Sequence, residues 1–440
     1  MLVLVGPRVA ADVRLLEEMA AGELAALGVG GRFRVAADAA AFRHELDAAD
    51  GDAAIVALPG PDPDLRRLIA TPPACAPRVV WLDITRVGPV KAAGGAAHVQ
   101  GRGVWGLAWA VRHAVHRLRT PARRIPYGEH ADQWAELRLP STVADGTPPS
   151  SVEPRSRSSA ADPTPPPSLE PRSSAAADQA PPPVAVLLHG GYWRSIWGAD
   201  LMDAIAIDLA RRGYAAWNLE YRRPDLHGWD ATTHDVAAGL AALREAAAGV
   251  PLDLTRIAVL GHSAGGQLAL RLAADTARQA ADTARQATGT GPASRPQAGL
   301  AQAAAGAPAT PDGPSKTPGG GPVVTVAVSL AGVLDLTEAD RRHMSTGAVA
   351  AALGGTADDL PEAYAASSPM ERLPLGVPQL VVQGGGDDPD LVDMARRYAA
   401  AAGEEASLIE GPGDHFAVID PASPLWTATM TELARRLGRP

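Results

Sequence analysis

The sequence predicts an α/β protein in two parts, a small parallel sheet followed by a larger and mostly parallel central sheet. Three observations carry this: short apolar runs rich in Val, Ile and Leu, helical spacing between those runs, and two glycine-flanked motifs at the ends of two of them. At 440 residues with 46% apolar content, the chain is long enough for two cores and linkers. Aromatic residues make up only 4% of it, so packing falls to small aliphatic side chains and close backbone approach.

Within residues 1–120, Leu2 to Val5 reads as a buried strand and Val9 to Leu27 as a helix ending near Gly28. Ala40 to Ala49 reads as a second helix, Ala53 to Leu58 and Arg78 to Ile84 as strands, and Trp105 to Leu118 as a closing helix. The basic residues of that last helix gather toward its C-terminus, where the helix dipole favours cations. The alternation predicts a small parallel sheet covered on both faces.

A second series runs over 127–440. Its strands are Trp134 to Leu139, Val184 to Leu188, Ala215 to Glu220, Arg256 to Leu260, Val323 to Ala331, Gln379 to Gln383 and Ala406 to Ile409. Helical spacing separates them at Leu201 to Arg212, Val236 to Ala248, Gly266 to Ala274 and Val392 to Ala402. Two segments interrupt the series. Ser141 to Pro183 is rich in Pro, Ser and Ala, too poor in apolar surface to offset ordering entropy, and is expected to be disordered. The other, at about 276–320, opens on a duplicated Ala-Asp-Thr-Ala-Arg-Gln-Ala and loosens into Gly, Pro and Ala. It is expected to be a surface insertion whose duplicated part prolongs the preceding helix.

The formal charge of −9 is spread along the chain with arginines interspersed, which argues against an extended nucleic-acid surface. Cys75 is the only cysteine, so no intrachain disulfide forms, and Met1-Leu-Val-Leu-Val5 is too short for a signal peptide or a membrane span. A cytoplasmic protein acting on a small neutral or polar molecule, away from membranes, is the default expectation.

The motifs carry the chemistry. Gly261-His-Ser-Ala-Gly265 matches G-x-S-x-G between a strand and a helix, a turn sharp enough to stand the Ser263 hydroxyl clear of the sheet. A serine hydroxyl needs an imidazole to take its proton, and the imidazole needs an acid to hold its tautomer. Asp387 follows one strand through Gly384-Gly-Gly386, and His415 follows the next through Gly411-Pro-Gly-Asp414. Asp388 is the alternative acid, one residue away on a turn whose geometry spacing does not settle. The other reading makes both aspartates ordinary turn residues and His415 a loop histidine. His189-Gly-Gly-Tyr-Trp193 ends another strand and offers the backbone N–H groups of Gly191 and Tyr192, beside that of Ala264, to an oxyanion. Trp193 and Trp197 follow one strand end, Trp217 lies in the next strand and Tyr221 just past it, and all four are candidates for a substrate pocket or, equally, for core. His262 reads as structural, and Arg194, Glu220, Arg222 and Arg223 as ion-pairing residues around the pocket loops. Gly28-Val-Gly30-Gly31 follows a helix rather than the first strand, which disfavours a dinucleotide site.

On these motifs, with Gly213-Tyr214, Glu220-Tyr-Arg222, Ser329-Leu-Ala-Gly-Val-Leu-Asp335 and Gly413-Asp-His-Phe416, residues 127–440 resemble the α/β-hydrolase superfamily, and within it the esterase and kynurenine-formamidase-like branch. The resemblance implies a Ser263, Asp387, His415 triad, an oxyanion hole from Gly191, Tyr192 and Ala264, no cofactor or metal, and a small ester or acyl or formyl amide substrate. Two departures stand in the acid loop: Gln383 occupies a position where relatives often carry histidine, and Pro389-Asp390 replaces a more apolar turn. Residues 1–120 resemble type II 3-dehydroquinases, flavodoxin-like domains, through Val5-Gly-Pro7 and Gly101-Arg-Gly-Val-Trp-Gly-Leu-Ala108. That chemistry needs a tyrosine, and none precedes Tyr127; the strand that should deliver its histidine reads Val79-Val-Trp-Leu-Asp83. The resemblance thus implies a domain inactive in dehydration, kept for docking, regulation or substrate binding, and a surface through which a homo-oligomer could form. Competing expectations are a non-catalytic scaffold of retired enzyme folds and a bifunctional protein with residual dehydratase activity.

Overall fold

The computed structural model describes residues 1–88, 90–140, 180–287 and 321–438. Most of the two expected insertions, 141–179 and 288–320, therefore lies outside the described residues.

The first sheet holds β1 (Leu2–Val5), β2 (Arg32–Val35), β3 (Ile55–Leu58), β4 (Val79–Asp83) and β5 (Ala97–Gln100) in the order β2-β1-β3-β4-β5, all parallel. Side-chain alternation divides it between two cores. Val3, Val5, Val56 and Leu58 pack with Leu16 and Leu107 of the helices Val13–Ala26 and Gly106–Arg119. Leu2, Leu4, Ile55 and Ala57 pack with Phe42 and Leu65 of the helices Ala39–Asp47 and Pro63–Ala70. Burial on both faces is why the central runs are continuously apolar. The expected list lacks β2 and β5 because Arg32-Phe-Arg-Val35 and Ala97-His-Val-Gln100 are edge strands, polar as edges are. The first helix starts at Val13, later than expected, because the Asp12 carboxylate accepts from Arg14 N at 2.9 Å and caps it there.

The second sheet contains β6 (Arg123–Pro126), β7 (Trp134–Arg138), β8 (Pro183–Leu188), β9 (Ala215–Glu220), β10 (Asp253–His262), β11 (Val326–Leu330), β12 (Gln379–Gly384) and β13 (Ala406–Gly411). Their order is β13-β12-β11-β10-β8-β9-β7-β6, with β7 antiparallel to β6 and β9 and the rest parallel. This is the mostly parallel sheet of an α/β-hydrolase. Since β6 pairs here, the sheet takes in residues before the expected boundary at 127. Gly261 of β10 lies beside Leu188 of β8, so the loops after these strands leave from one edge. The helix Ala264–Ala287 runs through the duplicated heptads. The duplicated part up to residue 287 thus prolongs the helix, as its Ala, Arg and Gln content favours.

The two sheets are joined by a polar latch. Arg102 makes a bidentate pair with Asp200 at 2.5 and 2.8 Å, donates to Ile196 O at 2.7 Å, and lies 4.5 Å over the Trp197 ring. His113 Nδ1 donates to Asp203 Oδ2 at 2.6 Å, and Arg138 donates to Asp203 Oδ1 at 3.2 Å. Trp109 completes the contact, its ring 6.2 Å from Trp197 and 5.4 Å from Phe416.

Candidate active site

Ser263 follows β10 at φ 54°, in the left-handed region that side chains other than glycine rarely adopt. Two anchors hold it there: Ser263 N donates to Leu330 O at 2.8 Å, and Ser263 O accepts from Gly266 N at 2.8 Å. The turn also requires glycine behind it, because a Cβ on Gly265 would stand 2.1 Å from Leu188 O. The helix can therefore approach β8 only with no side chain at that position.

The His189–Trp193 segment meets this turn directly. A Cβ on Gly190 would lie 2.8 Å from Ser263 Cβ. Gly191 has φ 111°, and Tyr192 and Trp193 have φ 49° and 54°, a run of left-handed residues that turns the chain back on itself. Among the described residues, the N–H groups of Gly191, Tyr192 and Ala264 have no protein acceptor. His189 holds the turn from below, its ring stacked 4.3 Å from Tyr221 and its Nε2 3.1 Å from Glu220 Oε1. Tyr221 Oη donates to His189 O at 2.7 Å. Burial raises the Glu220 carboxyl, but Arg223, His189 and the Ala199 N–H outweigh it and hold it well below the usual carboxylate range.

Asp387 and His415 leave the neighbouring strands β12 and β13 at the same edge. His415 Nδ1 donates to Asp387 Oδ2 at 2.8 Å. The same carboxylate accepts from Gln383 Nε2 at 2.8 Å and from Asp388 N at 2.7 Å. Burial pushes the Asp387 carboxyl up; the hydrogen bond and charge of His415, with the Asp388 N–H and Gln383, more than reverse this and hold it below its ordinary value. His262, next to Ser263, donates from Nε2 to His415 O at 3.0 Å, with the two rings 4.7 Å apart. Burial, then the nearby His415, push His262 down to about 3, so it is a neutral donor bracing the His415 loop. Neither Ser263 Oγ nor His415 Nε2 has a hydrogen-bond partner among the described residues. Such contacts are often long before substrate binds.

Several expectations are corrected. Asp388 turns away from the imidazole: its carboxylate accepts from Asp390 N at 2.9 Å and caps the helix Pro389–Ala402. Trp193, Trp217 and Tyr221 are sealed in the core, with Trp217 and Tyr221 at 0% exposure, and so line no open pocket. Their polar atoms are spent inside, Trp217 Nε1 on Gly239 O at 2.9 Å and Trp193 Nε1 on Gln267 Oε1 at 3.2 Å. Trp197 is half-buried, between Gly191 and the first domain. Arg223 pairs with Glu220 and Arg222 with Asp235, as charge alone would favour, whereas Arg194 donates to the Ser345 carbonyl at 2.8 Å. In the sequence Gln383 stands out only as a departure and Phe416 only within the Gly413–Phe416 motif, while nothing marks Trp109, whose contacts span the two sheets.

Among the described residues, His130, Asp132 and His227 offer ligand atoms within 4.8 Å of one another. His130 Nδ1 accepts from Asp132 N at 3.1 Å, and Arg223 lies 3.0 Å from the Asp132 carboxylate, so that cluster already carries its own cation. No helix among the described residues is long and apolar enough to cross a membrane.

Comparison with known proteins gives the family. No curated protein matches the sequence. Among solved structures, the chain is similar to a bifunctional GH43-CE of Bacteroides eggerthii at 19% identity and TM-score 0.49, covering 72% of this chain and 35% of that one. It thus spans about a third of that protein's length. A truncated carbohydrate esterase from gut microbiota is 15% identical over 72% of this chain and 98% of its own, with TM-score 0.49. Esterase B from Lactobacillus Rhamnosis (HN001) is 18% identical over 71% and 83%, with TM-score 0.47. The BD-FAE family model matches residues 174–397, just over half of the sequence. The chain belongs to the BD-FAE family, an esterase family of the α/β-hydrolase superfamily.

Proposed function

We propose that the protein is a serine esterase that cleaves small carboxylic esters through Ser263, His415 and Asp387. The observation that carries this is the 2.8 Å bond from His415 Nδ1 to Asp387, which fixes the tautomer and leaves Nε2 unprotonated, as a general base requires. His415 Nε2 takes the Ser263 proton as Oγ attacks the acyl carbon. The N–H groups of Ala264, Tyr192 and Gly191 receive the oxyanion. The tetrahedral adduct expels the alcohol, which leaves with the proton from His415. Water attacks the acyl-enzyme, giving a proton to His415, and the carboxylic acid departs as that proton returns to Ser263, the acid then ionising to solvent.

A fluorophosphonate probe is expected to label Ser263, with labelling lost in Ser263→Ala. Folded wild-type protein that takes no label and turns over no short acyl ester would refute the reading. A panel of short acyl esters, acetylated xylan and N-formylkynurenine assigns the acyl and leaving groups; the family favours esters, and formamide hydrolysis is the narrower branch. For the first domain we infer docking rather than dehydration, supported by the absence of any tyrosine before Tyr127 and by the Arg102–Asp200 and His113–Asp203 pairs. An assay with 3-dehydroquinate is expected to give no product, and any turnover would reverse the inference.

A further inference from the structure

We propose that the cleft between the two sheets, walled by Arg78, Arg117, Arg124 and Arg138, binds a small organic polyanion. The cleft has a volume of about 380 Å³ and draws on both domains, from Arg78 and Arg117 of the first and from Arg124, Glu136 and Arg138 of the second. That size lies in the range of small-molecule sites.

Charge is the main argument. Arg78 donates to the Asp50 and Ala53 carbonyls, both at 2.6 Å, and Arg117 to the Val79 and Gly95 carbonyls at 3.5 and 2.5 Å. Carbonyls position a guanidinium without neutralising it. Two carboxylates face the group. Glu136 accepts from Arg124 at 3.0 Å and lies 3.2 Å from Arg138, while Asp203 accepts from Arg138 at 3.2 Å and from His113 at 2.6 Å. Four guanidinium groups thus stand against two carboxylates around one cleft. Arg138 is buried, and its Nε and Nη1 have no acceptor among the described residues. Arg117 is held below the usual arginine value by burial and then by the like charge of Arg124. An anion in the cleft would relieve that repulsion. Planar guanidinium groups suit carboxylate or phosphate oxygens, which they engage in pairs.

The test is calorimetric titration of the full chain with citrate and, separately, with inorganic phosphate, at ionic strength matched with NaCl. Saturable one-site binding of either anion is expected, accompanied by a rise in Tm because the anion would bridge the domains. Tighter citrate binding would mark a carboxylate ligand, and tighter phosphate binding a phosphorylated one. Arg124→Gln, at an exposed position, and Arg117→Gln should each weaken binding about tenfold, with the Tm of each anion-free variant showing that it folds. Arg8→Gln, a surface arginine outside the cleft, should not change it. No saturable heat with either anion, or equal affinity in all variants, would overturn the proposal. The outcome is independent of ester hydrolysis.

Discussion

Asp387 and Asp388 are neighbours with the same side chain and different duties, because Asp387 faces His415 while Asp388 faces the first turn of the next helix. Asp387→Asn should therefore lower kcat by about 10⁴, as an amide stabilises the wrong imidazole tautomer. Asp388→Asn should change it by no more than about twofold, since asparagine caps as well as aspartate. Equal losses in a steady-state assay would reverse this assignment. Gln383 supplies the second side-chain bond to Asp387, and Gln383→Ala is expected to cost about tenfold in kcat with little change in KM.

At the scale of elements, the elbow depends on how near the helix Ala264–Ala287 comes to β8. Gly265→Ala would drive a methyl against the Leu188 and His189 carbonyls, at 2.1 and 2.5 Å. Backbone cannot yield as a flexible side chain does, so destabilisation of at least about 1–3 kcal/mol is expected by denaturant unfolding. Unchanged stability would mean that the helix is free to shift.

For the whole molecule, the first domain reaches both sides of the candidate site through Trp109, which touches Trp197 behind Gly191 and Phe416 beside His415. Trp109→Ala is expected to lower kcat several-fold at nearly constant KM, and Trp109→Phe to restore most of it. A fall in stability alone, with kcat intact, would make Trp109 a packing residue only. The latch also makes stability depend on pH. Burial raises the Asp203 carboxyl, but His113 and Arg138 outweigh it and bring it down to about 2. A lowered carboxyl stabilises fully above its unfolded value near 4 and loses that contribution as pH falls through its folded value. The Tm gap between wild type and Asp203→Asn should thus be widest above pH 5 and narrow toward pH 2. A constant gap over that range would refute the linkage.

The α/β class, the two successive sheets and most central strands are legible in the sequence, because strands buried on both faces must be apolar and glycine-flanked turns must carry their glycines. So was the gathering of Ser263, Asp387 and His415 at one sheet edge, since each follows a strand. Only the tertiary structure set Asp387 rather than Asp388 beside His415, sealed Trp217 and Tyr221 inside, and set Trp109 against Phe416. Those outcomes depend on side-chain directions in turns and on contacts between residues far apart in the chain, which local periodicity does not encode.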